Sequence, residues 1–228
     1  MDLKKLNVII TGATGMVGEG VLYVALQDPG VASVLSLTRK PAGIRHPKLT
    51  EVIHADFFNL SAVEPQLKGY NACFFCLGVS SVGMNKEEYY RLTYTLTMHV
   101  AQTLSRLNKD MTFCYISGAG TDSSEQGRSS WARVKGKTEN DLLKLPFGAV
   151  YNFRPGFIKP IKGLHHTHAF YKYILWLFPI GRALYPAGFC TMQELALALI
   201  GVAANGYPKK VLEGKDIIAL GKQPDGKP

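Results

Sequence analysis

The chain has 228 residues, of which 46% are hydrophobic and 19% charged, a composition that is typical of globular proteins and excludes a largely disordered one. No linker or abrupt change of composition divides the sequence, so we expect residues 1–228 to form one domain. The net charge of +9 comes from scattered lysines and arginines, without a nucleic-acid-binding motif. We interpret it as a basic surface that attracts a phosphorylated cofactor, and we expect no nucleic-acid partner.

The N-terminus and the four cysteines bear on the location of the protein. The apolar stretch near the start of the chain is too short for a secretory signal. Cys73 and Cys76 form a CxxC inside the run NACFFCL, where their spacing places them on opposite faces of a strand, so neither zinc binding nor redox work is expected. Unpaired cysteines in apolar surroundings fit a reducing compartment, and the sequence predicts a cytoplasmic protein.

Short apolar runs alternate with stretches of helical period up to residue 154. The predicted strands lie at 6–11, 31–37, 51–55, 71–77, 111–117 and 148–153, and the predicted helices lie near 16–27, 60–68, 85–108 and 131–145. Strands and helices in alternation imply parallel strands with helical crossovers. The strands are almost continuously apolar, as expected when helices cover both faces of a sheet. The predicted fold is therefore a doubly wound α/β fold around a parallel sheet.

The C-terminal part has a different character. Beyond residue 154 the sequence is aromatic and interrupted by prolines, before a predicted helix near 191–204 and a last strand near 216–220. We expect residues 156–210 to contribute a small cap over the carboxyl edge of the sheet, in which 164–186 act as a mobile lid on the substrate side.

This cap also bears on contact with membranes. Its longest apolar run, at 174–180, is far shorter than the ~20 residues that a transmembrane helix needs. Peripheral contact with a membrane stays an open alternative, because an interfacial helix would suit Tyr171, Lys172, Trp176, Phe178 and Arg182.

A glycine-rich turn, TGATGMVG, follows the first predicted strand and leads directly into a helical pattern. Gly12 can take the tight turn, Gly15 lets the backbone approach a pyrophosphate, and Gly18 allows the helix to pack closely against the strand. The free N–H groups at the start of the helix would then face the phosphates. The turn predicts a dinucleotide site formed by Gly12, Thr14, Gly15, Met16, Val17 and Gly18.

The glycine spacing, GxxGxxG, resembles that of the extended and atypical short-chain dehydrogenase/reductases, which have a Rossmann fold. NAD-binding proteins of this fold carry an acidic side chain after the second strand, whereas this chain has Arg39 and Lys40 in LTRKP. A cation there favours the 2′-phosphate of NADP, so NADP is the expected cofactor in preference to NAD. By the same resemblance, Asp56 would bond the adenine amine, while Leu77 and Gly78 would run beside the adenosine ribose.

Three further motifs, YISGAG, WARVKG and NFRPGFI, extend the resemblance over most of the chain. They are similar to those of the atypical short-chain dehydrogenase/reductases, above all the Tat-interacting-protein-like oxidoreductases. The resemblance implies that Ser117 hydrogen-bonds a substrate carbonyl and that Lys135 holds the nicotinamide ribose and lowers the pKa of a neighbouring acid. Pro155, Phe157 and Ile158 would lie on the carboxamide side of the nicotinamide. The alternatives are a serine that caps a loop amide and an ordinary surface lysine.

Trp131 stands where this family usually has its catalytic tyrosine, in WARVKGKTE where relatives read YxRVKGExE. An indole N–H does not titrate, so Trp131 can orient a carbonyl but cannot supply the proton that carbonyl reduction requires. The candidate replacements are a water held by Ser117 and Lys135, a tyrosine within 165–185, or one of His165, His166 and His168. These histidines lack nearby acidic or cysteine ligands, so no metal site is expected.

Two hypotheses follow from these residues. In the first, the chain is an NADP-dependent oxidoreductase that acts on a small apolar carbonyl or alcohol with a weakened or relocated proton donor. In the second, it is a catalytically silent, NADP-dependent sensor or protein-interaction module. The sequence leaves the oligomeric state open: the long predicted helix 85–108 is only a loose hint of the dimer face that is usual in the superfamily it resembles.

Overall fold

The computed structural model describes residues 5–166 and 175–222. Within these residues, seven strands form one sheet whose neighbouring strands are all parallel. The predicted doubly wound α/β fold is thereby confirmed. In spatial order the strands are β3 (Leu49–Ile53), β2 (Val31–Thr38), β1 (Leu6–Thr11), β4 (Ala72–Phe75), β5 (Thr112–Ile116), β6 (Ala149–Arg154) and β9 (Val211–Glu213).

Helices cover both faces of the sheet and enclose two apolar clusters. One cluster lies on one face of the sheet and includes Val8 and Ile10, and the other lies on the opposite face and includes Ile9 and Phe75. Cys73 belongs to the second cluster and Cys76 packs against the first, so the two cysteines face opposite sides of the sheet, as predicted. The helices are α1 (Met16–Gln27), α2 (Lys86–Tyr90), α3 (Leu96–Leu107), α4 (Ser130–Leu142), α5 (Leu177–Leu184), α6 (Met192–Asn205) and α7 (Gly214–Gly221).

The sheet reverses its winding direction between β1 and β4. The chain passes from β1 outwards to β2 and β3, and then crosses back to place β4 on the other side of β1. Loops that leave the carboxyl ends of β1 and β4 therefore diverge to opposite faces and leave a crevice between them. Open α/β sheets bind their ligands in such a crevice.

Three predicted elements were wrong in kind or extent. Residues 216–220 lie in helix α7 and not in a strand, because Glu213 and Asp216 form a capping box that starts a helix there. Residues 60–68 hold only the short 3₁₀ helix Glu64–Leu67. The long predicted helix 85–108 is interrupted by a π-helical turn at Arg91–Thr95, which separates α2 from α3.

The C-terminal part adds a second, two-stranded parallel sheet made of β7 (Phe157–Lys159) and β8 (Phe189–Thr191). Helix α5 packs beside β8. Of the proposed interfacial residues, Trp176 is 65% exposed, whereas Phe178 is buried and Arg182 is paired with Glu194. Residues 167–174 of the predicted lid, which include Tyr171 and Lys172, lie outside the described residues. Within the described ranges 5–166 and 175–222, no helix is long and apolar enough to cross a membrane.

Candidate dinucleotide and catalytic site

A cavity of about 160 Å³ lies in the crevice between β1 and β4. Its walls come from the carboxyl ends of three strands, which is where parallel strands bring distant loops together. Six of the predicted cofactor residues line it: Gly12, Thr14, Gly15, Arg39, Leu77 and Gly78. Thr38, Phe57 and Cys76 complete the wall and were not predicted.

Two glycines of the turn are required by the backbone itself. Gly12 has a φ of +73°, and a Cβ there would lie 2.8 Å from the Leu77 amide nitrogen at the end of β4. A Cβ on Gly18 would lie 2.0 Å from the Gly12 carbonyl oxygen, so helix α1 can approach the turn only without a side chain. The turn therefore has the tight bend and close helix contact that its sequence predicted.

Helix α1 begins directly after this turn and leaves its N-terminal amides open. Its N-cap residue is Gly15, which contributes no side-chain hydrogen bond. The first N–H groups of a helix lack partners within the helix and carry the positive end of its dipole, so they suit phosphate oxygens. The side chains of Met16 and Val17 pack against the core, which leaves only their backbone amides for this purpose.

Arg39 is the residue shared by three adjoining cavities. It lines the central one, a second of about 150 Å³ that reaches towards Asp56, and a third of about 510 Å³ that also includes Lys40. Neither Arg39 nor Lys40 has an ion-pair partner for its side chain within residues 5–166 and 175–222. Thr38 Oγ1 donates to the Lys40 carbonyl (2.9 Å) and fixes the turn that carries both cations.

The second cavity has the character of a pocket for an aromatic ring. Asp56, Phe57 and Phe58 lie on one side, and Leu92 and Leu96, at the π-helical turn and the start of α3, lie on the other. Asp56 Oδ1 accepts the Phe58 amide (2.9 Å), which holds the carboxylate at the cavity. π-helical turns often occur at functional sites, and this one brings apolar side chains to the pocket.

Ser117 follows β5, and its hydroxyl is buried. Its Oγ lies within hydrogen-bonding distance of Glu139 Oε1 (2.5 Å) and of the Phe153 carbonyl oxygen (3.1 Å). The hydroxyl has one proton, and both of these partners are acceptors. The contact with a substrate carbonyl that the resemblance implies therefore stays a prediction. It would require the Ser117 hydroxyl to turn its hydrogen bond away from Glu139 or Phe153 and towards the substrate. The structure favours the alternative of a structural strand-end serine.

Lys135 lies on α4 with its ammonium against the end of β5, where it donates to the Ser117 carbonyl oxygen. Burial lowers the pKa of Lys135 to about 8, and the nearby Glu139 carboxylate only partly offsets this effect. An amine with this pKa can hold or release a proton near neutral pH. Lys135 is therefore not an ordinary surface lysine.

Trp131 lies one helical turn before Lys135 in the first turn of α4, and it is half-buried. Its six-membered ring packs beside the loop after β5, where a Cβ on Gly120 would lie 3.4 Å from the indole Cη2. The indole N–H has no hydrogen-bond partner within the described residues. The indole thus occupies the predicted position of the tyrosine while contributing an apolar surface.

The turn after β6 connects to the same loop, because the Ala119 amide donates to the Pro155 carbonyl (2.8 Å). Phe157 stands in an aromatic cluster with Phe178 and Phe189, with ring centroids 5.6 to 6.1 Å apart. The Ile158 side chain is buried in the core. The contact of Ile158 with a nicotinamide stays a prediction, and with the side chain in the core it would come from the backbone of Ile158.

The candidate histidines separate into different environments. His165 is exposed, and His166 lines the third cavity beside Thr14, Arg39 and Lys40. His166 therefore lies at the end of the crevice that carries the cations and is a poor candidate for the missing proton donor. His168 lies outside the described residues. Among residues 5–166 and 175–222, no cluster of three or more histidine, cysteine or acidic side chains could hold a metal ion.

Two buried carboxylates, Glu19 and Glu139, were not predicted from the sequence, and each is only 1% exposed. Glu19 follows the last glycine of the turn, and Glu139 lies one helical turn after Lys135 on α4. Both residues lie next to motifs that the sequence revealed. The signal that could have found them is an acidic residue at a helix position that faces the core. Burial of a carboxylate requires hydrogen-bonded partners, which only the tertiary structure identifies.

The chain matches the family profile described as "NAD dependent epimerase/dehydratase family" over residues 8–132. Among curated proteins, it is 31% identical over 160 residues to "Protein fmp52, mitochondrial" of Aspergillus clavatus, a match that covers 67% of this chain and 66% of that protein. It is 23% identical over 228 residues to the FMP52 protein of Eremothecium gossypii, which covers 96% of this chain and 98% of that protein.

Solved structures share the fold. The Bordetella bronchiseptica enzyme WbmF in complex with NAD⁺ has a TM-score of 0.66 at 18% identity, over 96% of this chain and 78% of that one. A short chain dehydrogenase/reductase from Saccharomyces cerevisiae has a TM-score of 0.64 at 13% identity, over 94% and 98% of the two chains. The resemblance to atypical short-chain dehydrogenase/reductases with a Rossmann fold is thereby confirmed.

These relatives contradict one prediction. Both curated proteins are named mitochondrial, and so is the Aspergillus fumigatus relative, which is 28% identical. The predicted cytoplasmic location was therefore wrong. Unpaired cysteines indicate a reducing environment but do not say which compartment supplies it, so the inference from cysteines was too narrow.

Proposed function

The chain belongs to the NAD dependent epimerase/dehydratase family, and on this premise we propose that it is an NADP(H)-binding oxidoreductase of small apolar carbonyls or alcohols. The observation that carries the proposal is the pair of cations at the end of β2, Arg39 and Lys40, which have no ion-pair partner among the described residues and lie beside the crevice between β1 and β4. A guanidinium at this place can bind a phosphate through two parallel N–H···O hydrogen bonds, a bidentate contact.

The residues of the crevice fit a dinucleotide. Gly15 and Gly78 face the central cavity without a Cβ, and the start of α1 offers free amides for a pyrophosphate. The cavity bounded by Asp56, Phe58 and Leu92 suits an adenine, with the carboxylate available to an exocyclic amine. Each end of an NADP adenosine therefore has a chemically matched partner in this chain.

The reacting end would lie near Lys135 and Trp131. When bound, a reduced nicotinamide supplies a hydride to a carbonyl carbon. The Lys135 ammonium, held at the Ser117 carbonyl, can donate to a ribose hydroxyl and lend positive charge to a group that releases a proton. The aromatic cluster of Phe157, Phe178 and Phe189 supports an apolar substrate.

The proton must come from a group other than Trp131, because an indole N–H does not titrate. A water held between Lys135 and the loop after β5 is the proposal that the described residues support best, since the pKa of Lys135 is about 8. Proton release from such a pair would be available near neutral pH.

The first test is calorimetric titration of the chain with NADPH and NADH. A charge-assisted phosphate contact from Arg39 predicts tighter binding of NADPH by about 1–3 kcal/mol. Arg39→Gln should reduce this preference, whereas Arg45→Gln, which removes an exposed arginine outside the three cavities, should leave it unchanged. Equal affinities of the wild type for the two nucleotides would contradict the NADP assignment. A screen of apolar aldehydes and ketones with NADPH then tests turnover.

A second candidate function rests on Trp131, whose indole replaces the titrating tyrosine and packs against Gly120. In this alternative the chain binds NADP(H) and reports its occupancy to a partner without turnover. The two functions differ in the consumption of NADPH: the sensor predicts tight binding and no oxidation of NADPH with any carbonyl of the screen.

The names of the relatives also support a location, and we propose that the chain acts in the mitochondrion. Fractionation of cells that express the full chain with a C-terminal tag tests this. Recovery of the tagged chain with mitochondrial markers supports the proposal, and its exclusion from them would refute it.

A further inference from the structure

Glu19 is a buried carboxylate in the first turn of α1, next to the last glycine of the dinucleotide turn. A buried carboxylate is stable only when hydrogen bonds replace its lost hydration. Its two oxygens accept backbone N–H groups of the segment that follows β7: Oε1 from His165 (2.8 Å) and Oε2 from His166 (2.7 Å). Glu19 thus attaches this distant segment to the helix that starts at the glycine turn.

The attachment also fixes the His166 ring. Its Nδ1 lies 3.1 Å from Glu19 Oε2, at ion-pair distance although without the alignment of a regular hydrogen bond. A carboxylate partner is a common means of orienting a histidine ring. The imidazolium form has an N–H on both nitrogens, so Nδ1 can face Glu19 while Nε2 donates to a phosphate oxygen. The side chain is 36% exposed, and it lines the third cavity.

Four of the five described residues that line this cavity have polar or cationic side chains, and the fifth is Pro41. Arg39 and Lys40 come from the end of β2, His166 comes from the segment after β7, and Thr14 comes from the glycine turn. Within the described part of the chain, no acidic side chain lines the cavity and neither Arg39 nor Lys40 has an ion-pair partner. Cationic and N–H-bearing groups that converge on a cavity without an acid favour a phosphate.

We infer that His166, oriented by Glu19, is a third ligand of the cofactor's 2′-phosphate, together with Arg39 and Lys40. The inference rests on the proposed NADP function and deepens it. It assigns part of the nucleotide specificity to a residue far from the β2 end in sequence, and it gives the buried Glu19 carboxylate a positioning role.

A purely structural role of the same segment is the competing explanation, and neighbouring residues allow the two to be separated. Glu19 binds the backbone amides of both His165 and His166, so truncation of either side chain leaves these hydrogen bonds possible. His165 is exposed and lines none of the three cavities. His165→Ala is therefore a matched control for His166→Ala.

The experiment is calorimetric titration of the full chain with 2′,5′-ADP and with 5′-AMP, which differ only in the 2′-phosphate. His166→Ala should weaken 2′,5′-ADP binding about tenfold, the equivalent of one charge-assisted hydrogen bond, and leave 5′-AMP binding unchanged. His165→Ala should change neither affinity. His166→Gln, which retains an N–H donor, should fall between the wild type and His166→Ala and serves if the alanine variant does not fold.

Three outcomes would overturn the inference. If the wild type does not prefer 2′,5′-ADP, the proposed NADP function fails and the inference fails with it. If the wild type prefers 2′,5′-ADP and His166→Ala keeps the full preference, only the inference fails. Equal weakening of both nucleotides by His166→Ala would mean that His166 supports the loop or the shared phosphate, and not the 2′-phosphate.

Discussion

The Arg154 guanidinium is paired with the Glu139 carboxylate at the carboxyl edge of the sheet, where the two side chains are 11% and 1% exposed. Glu139 also accepts from Ser117, and Arg154 reaches Glu213 at 3.2 Å. This network joins the end of β5, helix α4, β6 and β9. The network positions helix α4, and with it Lys135 and Trp131, which lie on the same helix as Glu139.

Glu139→Gln should destabilise the protein strongly. The change removes the charge that balances Arg154, and loss of one partner of a buried ion pair costs about 3–5 kcal/mol. Urea denaturation of the two proteins measures the change in the free energy of unfolding.

The exposed pair between Lys144 and Asp141 provides the control, because the Lys144 side chain is 74% exposed. Lys144→Gln should change the free energy of unfolding by less than about 1 kcal/mol. Equal effects of Glu139→Gln and Lys144→Gln would show that the Glu139 pair is not a structural support.

Lys135→Met should stabilise the protein at pH 7 while it abolishes any turnover. The pKa of Lys135 is lowered from 10.5 to about 8, so folding opposes its charged form. Below pH 8 this costs the folded state up to about 3 kcal/mol, at about 1.4 kcal/mol per pKa unit. The methionine variant avoids this cost, but it also loses the hydrogen bond to the Ser117 carbonyl oxygen, which offsets about 1 kcal/mol of the stabilisation.

The sign of the effect can be followed with pH. Between pH 8 and 10.5 the unfolded wild type binds the Lys135 proton and the folded protein does not, so wild-type stability should rise with pH in this window. The methionine variant lacks this contribution, and its advantage should shrink as the pH rises from 8. A constant advantage across the window, measured by urea denaturation, would exclude a depressed pKa of Lys135.

Gly15→Val should prevent nucleotide binding without unfolding the protein. Gly15 has extended backbone angles (φ −113°) that valine accepts, and a Cβ there would meet only the Gly12 carbonyl oxygen, at 3.4 Å. The added side chain would, however, occupy the central cavity. Gly18→Ala should instead prevent folding, because its Cβ would lie 2.0 Å from the same oxygen. Thermal melting and calorimetry separate the two effects, and normal NADPH binding by Gly15→Val would disprove the assigned role of the turn.

The fold and the convergence of the glycine turn and Arg39 on one crevice could be predicted because their signals are local. The strand from Leu6 to Thr11, the turn from Gly12 to Gly18 and Arg39 are each defined by residues that adjoin in sequence. Helix α7 was missed although its capping residues, Glu213 and Asp216, stand in the sequence, because the apolar run IIAL also suits a strand.

The supporting contacts could not be predicted because they join distant parts of the chain. Glu19 and His165 are 146 positions apart, and no periodicity or motif links them. Ser117 was assigned to a substrate by its motif, whereas its hydroxyl is engaged by Glu139, which lies 22 residues later on another element. Motifs identify which residues adjoin the crevice, but the direction of each side chain depends on partners that only folding brings together.

Trp131→Tyr should increase NADPH-dependent reduction of small reactive carbonyls. A phenol one helical turn before Lys135 would regain a titratable donor, and the ammonium would lower its pKa. A positioned general acid contributes about 10²–10⁴ to the rate. The phenol is smaller than the indole that packs beside Gly120, so some of this gain would be lost to imprecise positioning.

Trp131→Phe is the matched control for this prediction, because phenylalanine has the ring of tyrosine without its hydroxyl. The ratio of the Tyr and Phe rates at saturating NADPH isolates the effect of the donor, and adding Lys135→Ala to Trp131→Tyr should abolish the gain. If the wild type reduces carbonyls well and the Tyr and Phe variants match it, the proton comes from a group independent of position 131, such as the proposed water. If all three bind NADPH and none reduces a carbonyl, the sensor function becomes the better explanation, because the cofactor site would then be intact without a reaction to serve.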